Sequence, residues 1–167
     1  MRVRAQVIVL VAAAALLTAC NQPSSSTGAS ADKSGGPSAP APVDPATAAK
    51  LAALPAPYNT ADIANGQSKF VLCRSCHTLA QGGANMTGPN LYGVIGRTAG
   101  TVEKFNYSQP VKTAGFAWDG EHLDKWLADP RGFLPGNRMS FVGVKDPKDR
   151  TDLIAYLMIE TGHKPGG

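Results

Sequence analysis

Apolar side chains recur at helical spacing in three stretches of this chain. In residues 62–72, Ile63 and Phe70 fall on one side among polar neighbours, which predicts an amphipathic helix. Residues 121–129 predict a second, shorter helix, because Leu, Trp and Leu follow one another there at i, i+3 and i+4. The strongest pattern covers residues 146–161, whose broad apolar stripe predicts a long helix packed against the rest of the domain.

Capping residues indicate where these helices begin and end. Thr60 or Asn59 is the predicted N-cap of the first helix, since its side-chain oxygen can accept a free backbone N–H. Asp119 is the predicted N-cap of the second helix, and Pro130 should end that helix. Gly162 should end the third, because glycine readily takes the left-handed conformation found after a helix.

The segment between the first two helices is irregular. Residues 84–117 are rich in Gly, Asn, Pro and Thr and show no sustained period, which predicts loops and short turns. The sequence has no strand-like alternation of useful length and no internal repeat. Loops of such length rarely form a compact domain by themselves. A buried cofactor would supply the core that these residues lack.

The N-terminal residues predict export. Arg2 and Arg4 precede an apolar run over 7–17 that is too short to span a bilayer comfortably. The run ends in Leu-Thr-Ala-Cys, which is similar to a bacterial lipobox, whose cysteine is diacylated and becomes the first mature residue. The alternatives are an ordinary signal peptide and an uncleaved membrane anchor. We expect a lipoprotein signal peptide over 1–19 and a lipid anchor at Cys20.

Residues 20–59 predict a flexible linker between this anchor and a folded domain. The linker is dominated by Ala, Pro, Ser and Gly, and such a composition buries too little apolar surface to offset the entropy lost on ordering. A helical turn or two over 46–54 is compatible with the sequence, and the prolines that follow would end it. The folded domain is therefore predicted to occupy residues 60–167.

Two of the three cysteines belong to one motif. Cys73 and Cys76 are separated by two residues and followed at once by His77, which is the attachment pattern for c-type haem. Because residues three apart on a helical turn share a face, both thiols can reach one edge of a porphyrin while the imidazole approaches the iron. A thioredoxin-like dithiol would need a βαβ context, and a zinc site would need a second pair of ligands. The sequence offers neither.

The sixth ligand of such an iron has several candidates in the sequence. Met158 lies within the strongest helix, His122 stands beside apolar residues of the short helix, and His163 lies in a Gly/Pro tail. Met86 follows too closely after the Cys-His motif to cross the ring easily. Met139 follows a Pro-Gly-Asn-Arg turn, which can present a side chain from a loop, and this favours it.

Four motifs resemble the class I cytochromes c, in their mitochondrial and cytochrome c2 branch. They are the Cys-His motif, the Thr-Gly-Pro-Asn-Leu-Tyr-Gly sequence in 87–97, the Pro-Gly-Asn-Arg-Met-Ser-Phe sequence in 135–143 and the Asp-Leu-Ile-Ala-Tyr-Leu sequence at 152–157. The resemblance runs over residues 62–161 with its elements in the family's order. It implies an all-α class I cytochrome c fold, in which short helices and loops wrap one covalently attached haem c.

The resemblance also implies roles for the residues of the two ligand loops. Cys73 and Cys76 would carry the haem, and His77 and Met139 would be the axial ligands of its iron. The carbonyl of Pro89 would accept the Nδ1–H of the histidine, which fixes the tautomer and raises the basicity of the ligand.

A further set of residues corresponds to the family's haem-packing positions. Arg97, Tyr107 and Trp118 match the residues that hold a buried haem propionate, since a carboxylate taken out of water must be paired. Trp126 would pack on the haem beside the methionine. Lys104 departs from the pattern, because glycine is common at its position, and the turn there is expected to differ.

By the same resemblance, the chain is a one-electron carrier rather than an enzyme. It would pass electrons from a quinol–cytochrome c reductase to a terminal oxidase of a respiratory chain. The alternative is an enzyme or gas sensor in which Met139 is displaced; this would want polar acid–base groups near that residue, and the sequence shows none. With Cys20 lipidated, the protein would be a monomeric lipoprotein anchored to a membrane of the bacterial cell envelope, on its periplasmic side.

The charge of the chain is mildly basic. Sixteen Lys and Arg against twelve Asp and Glu give +4, and removal of residues 1–19 leaves fourteen basic residues and a net charge of +2. No run of basic residues alternates with aromatic ones, so nucleic-acid binding is not predicted. Four basic residues flank the methionine segment and predict a ring that attracts acidic partner surfaces in a salt-sensitive way, the alternative being an ordinary solvated surface: Arg131, Arg138, Lys145 and Lys148.

Overall fold

The computed structural model describes residues 43–162. The predicted signal peptide over 1–19, the lipid anchor at Cys20, most of the predicted linker and the candidate ligand His163 lie outside the described residues. Within the described part of the chain, every helix is too short or too polar to cross a membrane.

Short helices and long connections make up the described residues. Their secondary structure apart from turns is helical, and the only β-bridge among residues 43–162 is an isolated one between Thr98 and Ala117. A single 3₁₀ turn covers Tyr58–Thr60. The α-helices are α1 Pro45–Ala52, α2 Ile63–Phe70, α3 Gln109–Lys112, α4 Gly120–Ala128, α5 Pro130–Phe133 and α6 Pro147–Thr161.

The predicted ends of the second and third amphipathic helices are confirmed in detail. Asp119 caps α4, since its side chain accepts the N–H of His122. Gly162 follows α6 with φ of +83°, the left-handed conformation that was expected there. Pro130 does end α4, but it also opens the short helix α5, because proline is well suited to the first turn of a helix.

The first amphipathic helix begins later than predicted. Asp62, not Thr60 or Asn59, is the N-cap of α2, and its Oδ1 accepts the N–H of Asn65 at 3.0 Å. The chain before it turns in a 3₁₀ conformation instead, with the hydroxyl of Thr60 donating to the carbonyl of Pro57 at 3.2 Å. An aspartate in the cap position serves the helix better, because its charge also interacts favourably with the helix dipole.

Helices α2 and α6 cross at very close range. A Cβ added to Gly66 would lie 2.2 Å from the carbonyl oxygen of Asp152 and 2.8 Å from the Cβ of Tyr156. One turn further on, the rings of Phe70 and Tyr156 pack with their centroids 5.7 Å apart. Only glycine lets the two backbones approach this closely, so Gly66 sets the distance between the helix that leads into the Cys-His motif and the last helix.

A buried carboxylate locks this crossing. Asp152 is 1% exposed and accepts the backbone N–H of Asp62 at 2.9 Å, the side-chain amide of Asn65 at 2.8 Å and the ammonium of Lys148 at 2.6 Å. The start of α2 is thus bonded to the middle of α6 through backbone and side chain together. A buried carboxylate without partners would lower the stability of the fold, and the three donors around Asp152 remove this penalty.

The folded part of the chain extends further towards the N-terminus than the predicted boundary at residues 59 and 60. Asp44 caps α1, Val43 and Leu51 pack on the core, and Leu54 is 6% exposed. Tyr58 lies against Gly120, where an added Cβ would be 2.3 Å from its hydroxyl oxygen. The apolar residues of this alanine-rich stretch are few, but they meet an existing surface of α6, which composition alone does not reveal.

Residues 84–117 form loops as predicted, apart from the single turn of α3. Their backbone is paired with the segment before α4: Trp118 donates to the carbonyl of Arg97 at 2.9 Å, and Gly96 donates to that of Trp118 at 2.8 Å. Lys104 takes φ of +58°, the left-handed conformation that glycine favours. The turn therefore keeps a glycine-like backbone, contrary to the expected difference, and Lys104 bears the resulting strain.

Candidate haem site

The Cys-His motif forms a helical turn directly after α2. The N–H of Cys73 donates to the carbonyl of Phe70 at 2.8 Å, and the N–H groups of Cys76 and His77 both donate to the carbonyl of Cys73 at 3.0 Å. Both thiols are unpaired and half-buried. The sequence therefore holds the two sulfurs and the imidazole on one short turn, as the spacing predicted.

The high pKa of the Cys73 thiol argues against a redox dithiol. Burial, together with a smaller contribution from the charge of Cys76, raises the pKa of the Cys73 thiol to about 11. Dithiols that exchange disulfides depend on a lowered pKa, because the thiolate is the nucleophile. A zinc site has no support either, since the described residues contain no cluster of three His, Cys, Asp or Glu side chains.

The imidazole of His77 is oriented by a carbonyl. Its Nδ1–H donates to the oxygen of Pro89 at 2.8 Å, which leaves the lone pair of Nε2 available for a metal. Burial lowers the pKa of His77, and the bond to Pro89 opposes this effect. The resulting neutral ring is the form that binds iron.

Glycine makes room for this ring. A Cβ on Gly88 would lie 2.3 Å from Cε1 of His77 and 2.6 Å from its Nε2, so the imidazole rests directly on the backbone of the next loop. The N–H of Gly88 also donates to the carbonyl of Cys76 at 2.9 Å. The side chain of Asn90 fastens the same loop, donating to Thr78 Oγ1 at 2.6 Å. Gly88 and Asn90 belong to one of the family motifs, but no such role was predicted for either residue.

A second group of predicted site residues surrounds a half-buried guanidinium. Arg97 donates to the carbonyl of Tyr92 at 2.8 Å and to that of Asn90 at 3.2 Å. Burial lowers the pKa of Arg97 and raises that of Tyr107, while the interaction between the two opposes both shifts. Trp118 is 8% exposed and is joined to Arg97 through the backbone. The structure therefore brings together the three residues predicted to hold a propionate.

Ser108 follows Tyr107 directly in the chain, and no role was predicted for it. Its Oγ is buried and has no hydrogen-bond partner, although the residue stands at the N-cap of α3. A buried hydroxyl without a partner is costly, and it lies directly after Tyr107. A carboxylate of a bound cofactor would satisfy it. Nothing in the sequence marks this serine, because its only signal is burial.

The methionine segment is held at its start by one asparagine. The side-chain amide of Asn137 donates to the carbonyls of Pro130 at 2.7 Å and Leu134 at 2.9 Å, and its oxygen accepts the N–H of Met139 at 2.8 Å. Arg138 donates to the carbonyl of Asn106, which joins this segment to the loop of Tyr107. Met139 itself is half-buried.

The same segment is held at its end by α4 and α6. Gly143 has φ of +91° and lies on the backbone of Ala128, where a Cβ would be 2.2 Å from the carbonyl oxygen. Val144 donates to Leu127 at 2.8 Å. Arg150 donates to the carbonyl of Val144 at 3.0 Å and through Nε to Asp124 at 2.6 Å. The segment that contains Met139 is therefore fixed at both of its ends.

Among the described residues, the other candidates for the sixth ligand are occupied or misplaced. Met158 is 3% exposed in the core face of α6. Nδ1 of His122 is hydrogen-bonded to Oδ1 of Asp119, the N-cap of α4, at 2.8 Å. The imidazole also stacks on the ring of Phe116, with the ring centroids 4.2 Å apart. Met86 donates its N–H to the carbonyl of Gly88, on the same side as His77. Met139 remains the predicted ligand.

Aromatic rings from three parts of the chain pack on one another near the candidate site. Trp126 packs on Trp118 with ring centroids 5.5 Å apart, and Phe133 lies 6.4 Å from Trp126. The rings belong to α4, α5 and the segment before α4, so three parts of the chain contribute to one aromatic surface. Such a surface suits the faces of a porphyrin.

The described residues fit a covalently attached haem. Two free thiols, a neutral imidazole with one nitrogen unbonded, a half-buried guanidinium and an unpartnered hydroxyl are the groups that a haem would use. Such a site can hold an iron that changes its charge by one while its ligands stay in place.

Comparisons with known proteins agree with this geometry. The family model for cytochrome c matches residues 63–159. A cytochrome c2 from Agrobacterium tumefaciens is 39% identical over 107 residues, covering 62% of this chain and 96% of the relative. A cytochrome c from Trypanosoma brucei brucei is 54% identical over 78 residues, covering 47% of this chain and 84% of the relative. Among solved structures, cytochrome cH from Methylobacterium extorquens matches with a TM-score of 0.53 and 41% identity, covering 57% of this chain and 95% of that one.

Proposed function

Because this chain belongs to the cytochrome c family, in its c2-like branch, and carries electrons on one covalent haem c, we propose that it shuttles them between membrane redox complexes of a respiratory chain. The donor would be a quinol–cytochrome c reductase and the acceptor a terminal oxidase. The observation that supports this most is the turn of the Cys-His motif, whose imidazole is fixed by Pro89 with its other nitrogen unbonded.

The chain's own residues would keep the site unchanged while electrons pass. A bound haem c supplies a reversible one-electron couple between Fe²⁺ and Fe³⁺. Pro89 holds His77 in one tautomer, and Asn137 holds the backbone of Met139 at 2.8 Å. The thioether of Met139 would be a soft ligand that favours the reduced metal and raises the potential. Ligands fixed from both sides lower the rearrangement that accompanies each transfer.

We further propose that the protein is a lipoprotein anchored through Cys20 on the periplasmic side of a bacterial membrane. The support is the lipobox-like sequence before that residue. Since the folded body begins no later than Val43, the residues between Cys20 and Val43 would connect the lipid to the body. Such a connection would raise the effective concentration of the carrier at membrane complexes.

Reoxidation by membranes tests the proposed partners. The full-length protein, reduced and kept in detergent, is added to washed membranes of the source bacterium, and its visible absorbance is followed with and without cyanide. We expect fast reoxidation that cyanide abolishes. Reoxidation at the same rate in cyanide, or none at all, would contradict delivery to a terminal oxidase.

The anchor is tested separately with Cys20→Ser. We expect the wild-type protein in the membrane fraction and the variant in the soluble periplasmic fraction, because the signal would then lack the lipidated residue. A Ser25→Ala variant serves as the control. If Cys20→Ser stays in the membrane fraction, the lipid is not what attaches the protein.

A further inference from the structure

A folded segment precedes the part of the chain that the family model matches. The match begins at residue 63, whereas the described structure already begins at Val43. Helix α1 and the 3₁₀ turn both lie in this segment, which covers residues 43–61. The thiols, the predicted iron ligands and the other residues of the candidate site all come after it. The segment is therefore an addition to the haem domain, and haem binding does not explain it.

Helix α1 depends on its packing against the rest of the molecule. Asp44 accepts the N–H groups of Ala46 and Thr47 at 3.0 Å each. At the other end, the N–H of Leu54 donates to the carbonyl of Leu51 at 3.0 Å. These bonds define where the helix begins and ends, but an isolated helix of eight residues is not stable in water. Contact with α6 and with the 3₁₀ turn is what holds α1 in place.

Few apolar side chains provide this contact. No residue within α1 is buried, and Leu51 is the residue of the helix that packs, half-buried, against the core. Val43 before the helix is half-buried as well, and Leu54 after it is 6% exposed. Elements with few buried contacts open at a low cost in free energy. We therefore expect α1 to detach far more often than the crossing of α2 and α6 opens.

The arrangement of α1 also allows it to leave without disturbing another helix. Apart from the 3₁₀ turn, α6 is the one element of the described residues that α1 contacts. The outer side of α1 consists mainly of exposed alanines and Lys50. Such a surface has no aromatic anchor and little apolar area, so it is poorly suited to binding a partner protein.

The chain after α1 is attached at a second place. Tyr58 lies against Gly120 at the start of α4, where an added Cβ would be 2.3 Å from the hydroxyl oxygen of the tyrosine. Burial raises the pKa of Tyr58, and the negative charges of Asp124 and Asp119 raise it as well, which agrees with a ring packed beside α4. The chain can therefore leave the body at two points, Val43 while α1 is docked and Tyr58 while it is not.

We propose that α1 is a detachable strap that sets the length of the tether between the lipid and the haem domain. This inference rests on the proposed lipid anchor at Cys20. With α1 docked on α6, the 22 residues 21–42 separate Cys20 from the body, and with α1 detached the 37 residues 21–57 do so. The effective concentration of a tethered domain falls roughly as the −3/2 power of the tether length, so detachment should lower it about twofold.

Hydrogen exchange of the full-length holoprotein in detergent tests whether α1 detaches. We expect the amides of α1 to exchange about a hundredfold faster than those of α6, and Leu51→Ser should remove the remaining protection of α1 alone. Ala48→Ser is the matched control, because it places the same side chain at an exposed position of the same helix. If α1 is as well protected as α6 in the wild-type protein, it is a permanent part of the body and the inference fails.

Electron transfer in membranes tests whether detachment lengthens the tether. Vesicles are prepared from the source bacterium with the anchored protein or its variant, and cyanide-sensitive reoxidation is followed after a pulse of oxygen. We expect Leu51→Ser to lower the rate about twofold, with the visible spectrum and the midpoint potential unchanged. An insertion of about fifteen Gly and Ser residues directly before Val43 should lower it equally, because it adds the same length while α1 stays docked.

Protein without the anchor separates this effect from a defect in the body. In the Cys20→Ser background, Leu51→Ser should leave the rate of reoxidation by added membranes unchanged, since no tether acts there. A twofold loss in that background would assign the effect to the body and overturn the inference. An unchanged or higher rate for the anchored Leu51→Ser protein would also overturn it, while the proposed function stands. If Cys20→Ser protein stays attached to membranes, the proposed anchor itself fails, and the strap has no tether to lengthen.

Discussion

The crossing of α2 and α6 and the loops over 84–117 are stabilised in different ways. At the crossing, Leu153, Ile154 and Ala155 are fully buried, and Asp152 has all its donors within the chain. In the loops, apolar side chains such as those of Val94, Ala99 and Val111 are buried too, but the buried hydroxyl of Ser108 has no partner. The crossing is stabilised by its own side chains, whereas the loops are arranged around a cofactor that the chain itself does not supply.

This difference means that the two regions should respond to different changes. A change in packing should damage the crossing whether or not the cofactor is bound. Removal of the cofactor should damage the loops first, because their polar groups would lose their partners.

Removal of both thiols should separate the two regions most clearly. In Cys73→Ala with Cys76→Ala, no covalent attachment is possible, and we expect residues 84–117 to lose amide protection far more than α6. The cooperative thermal transition should disappear, since the loops are packed around the cofactor. Hydrogen exchange followed by mass spectrometry measures this directly.

The serine between the two cysteines provides the control. Ser75→Ala keeps both attachment points and should leave exchange unchanged. If the loops of the doubly substituted protein stay as protected as those of the wild type, they are self-sufficient and the contrast between the two regions is wrong.

Gly66→Ala should break the crossing while the cofactor stays attached. The new Cβ would lie 2.2 Å from the carbonyl oxygen of Asp152, which is backbone and cannot move aside. We expect the free energy of unfolding to fall by about 3 kcal/mol, at the upper end for overpacked cores. Guanidinium denaturation of the holoprotein measures it. Ser68→Ala, exposed on the same helix, should change little, and an equally small effect for Gly66→Ala would show that the helices can move apart freely.

Lys104→Gly should relieve strain on the side of the loops. Lys104 has φ of +58°, where a Cβ is disfavoured and glycine is not. We expect a gain of about 1 kcal/mol in the free energy of unfolding of the holoprotein. Lys104→Ala is the matched control: it removes the same charge but keeps the Cβ, so it should give no gain. Equal gains in both would assign the effect to charge instead of backbone conformation.

The fold was predictable where the sequence carried a periodic signal. Helices α4 and α6 were placed with their caps, because Asp119 and Gly162 have one evident physical role each. Composition predicts that the residues of α1 belong to a linker. Their packing depends on a few apolar side chains that contact α6, which composition does not reveal. Short-range composition cannot report a contact between residues about a hundred positions apart.

The candidate site was predictable where residues act through chemistry that their type reveals. The thiols and His77 could be named from residue type and spacing, and Arg97 from the resemblance to the class I cytochromes c. Gly88 could not be assigned its role, because it acts by what it lacks, and Ser108 could not be found, because its hydroxyl is unusual only in being buried without a partner. Such features arise from the fold and have no counterpart in the local sequence.

The two fixed points on either side of Met139 also have a practical consequence. Asn137 holds one end of the segment, and Gly143 with Arg150 holds the other, through backbone atoms of α4, α5 and their neighbours. Residues 138–142 can therefore be treated as a replaceable cassette between two anchors. A library that keeps Met139 and varies only the other four positions would show how far this segment tunes the potential on one unchanged scaffold.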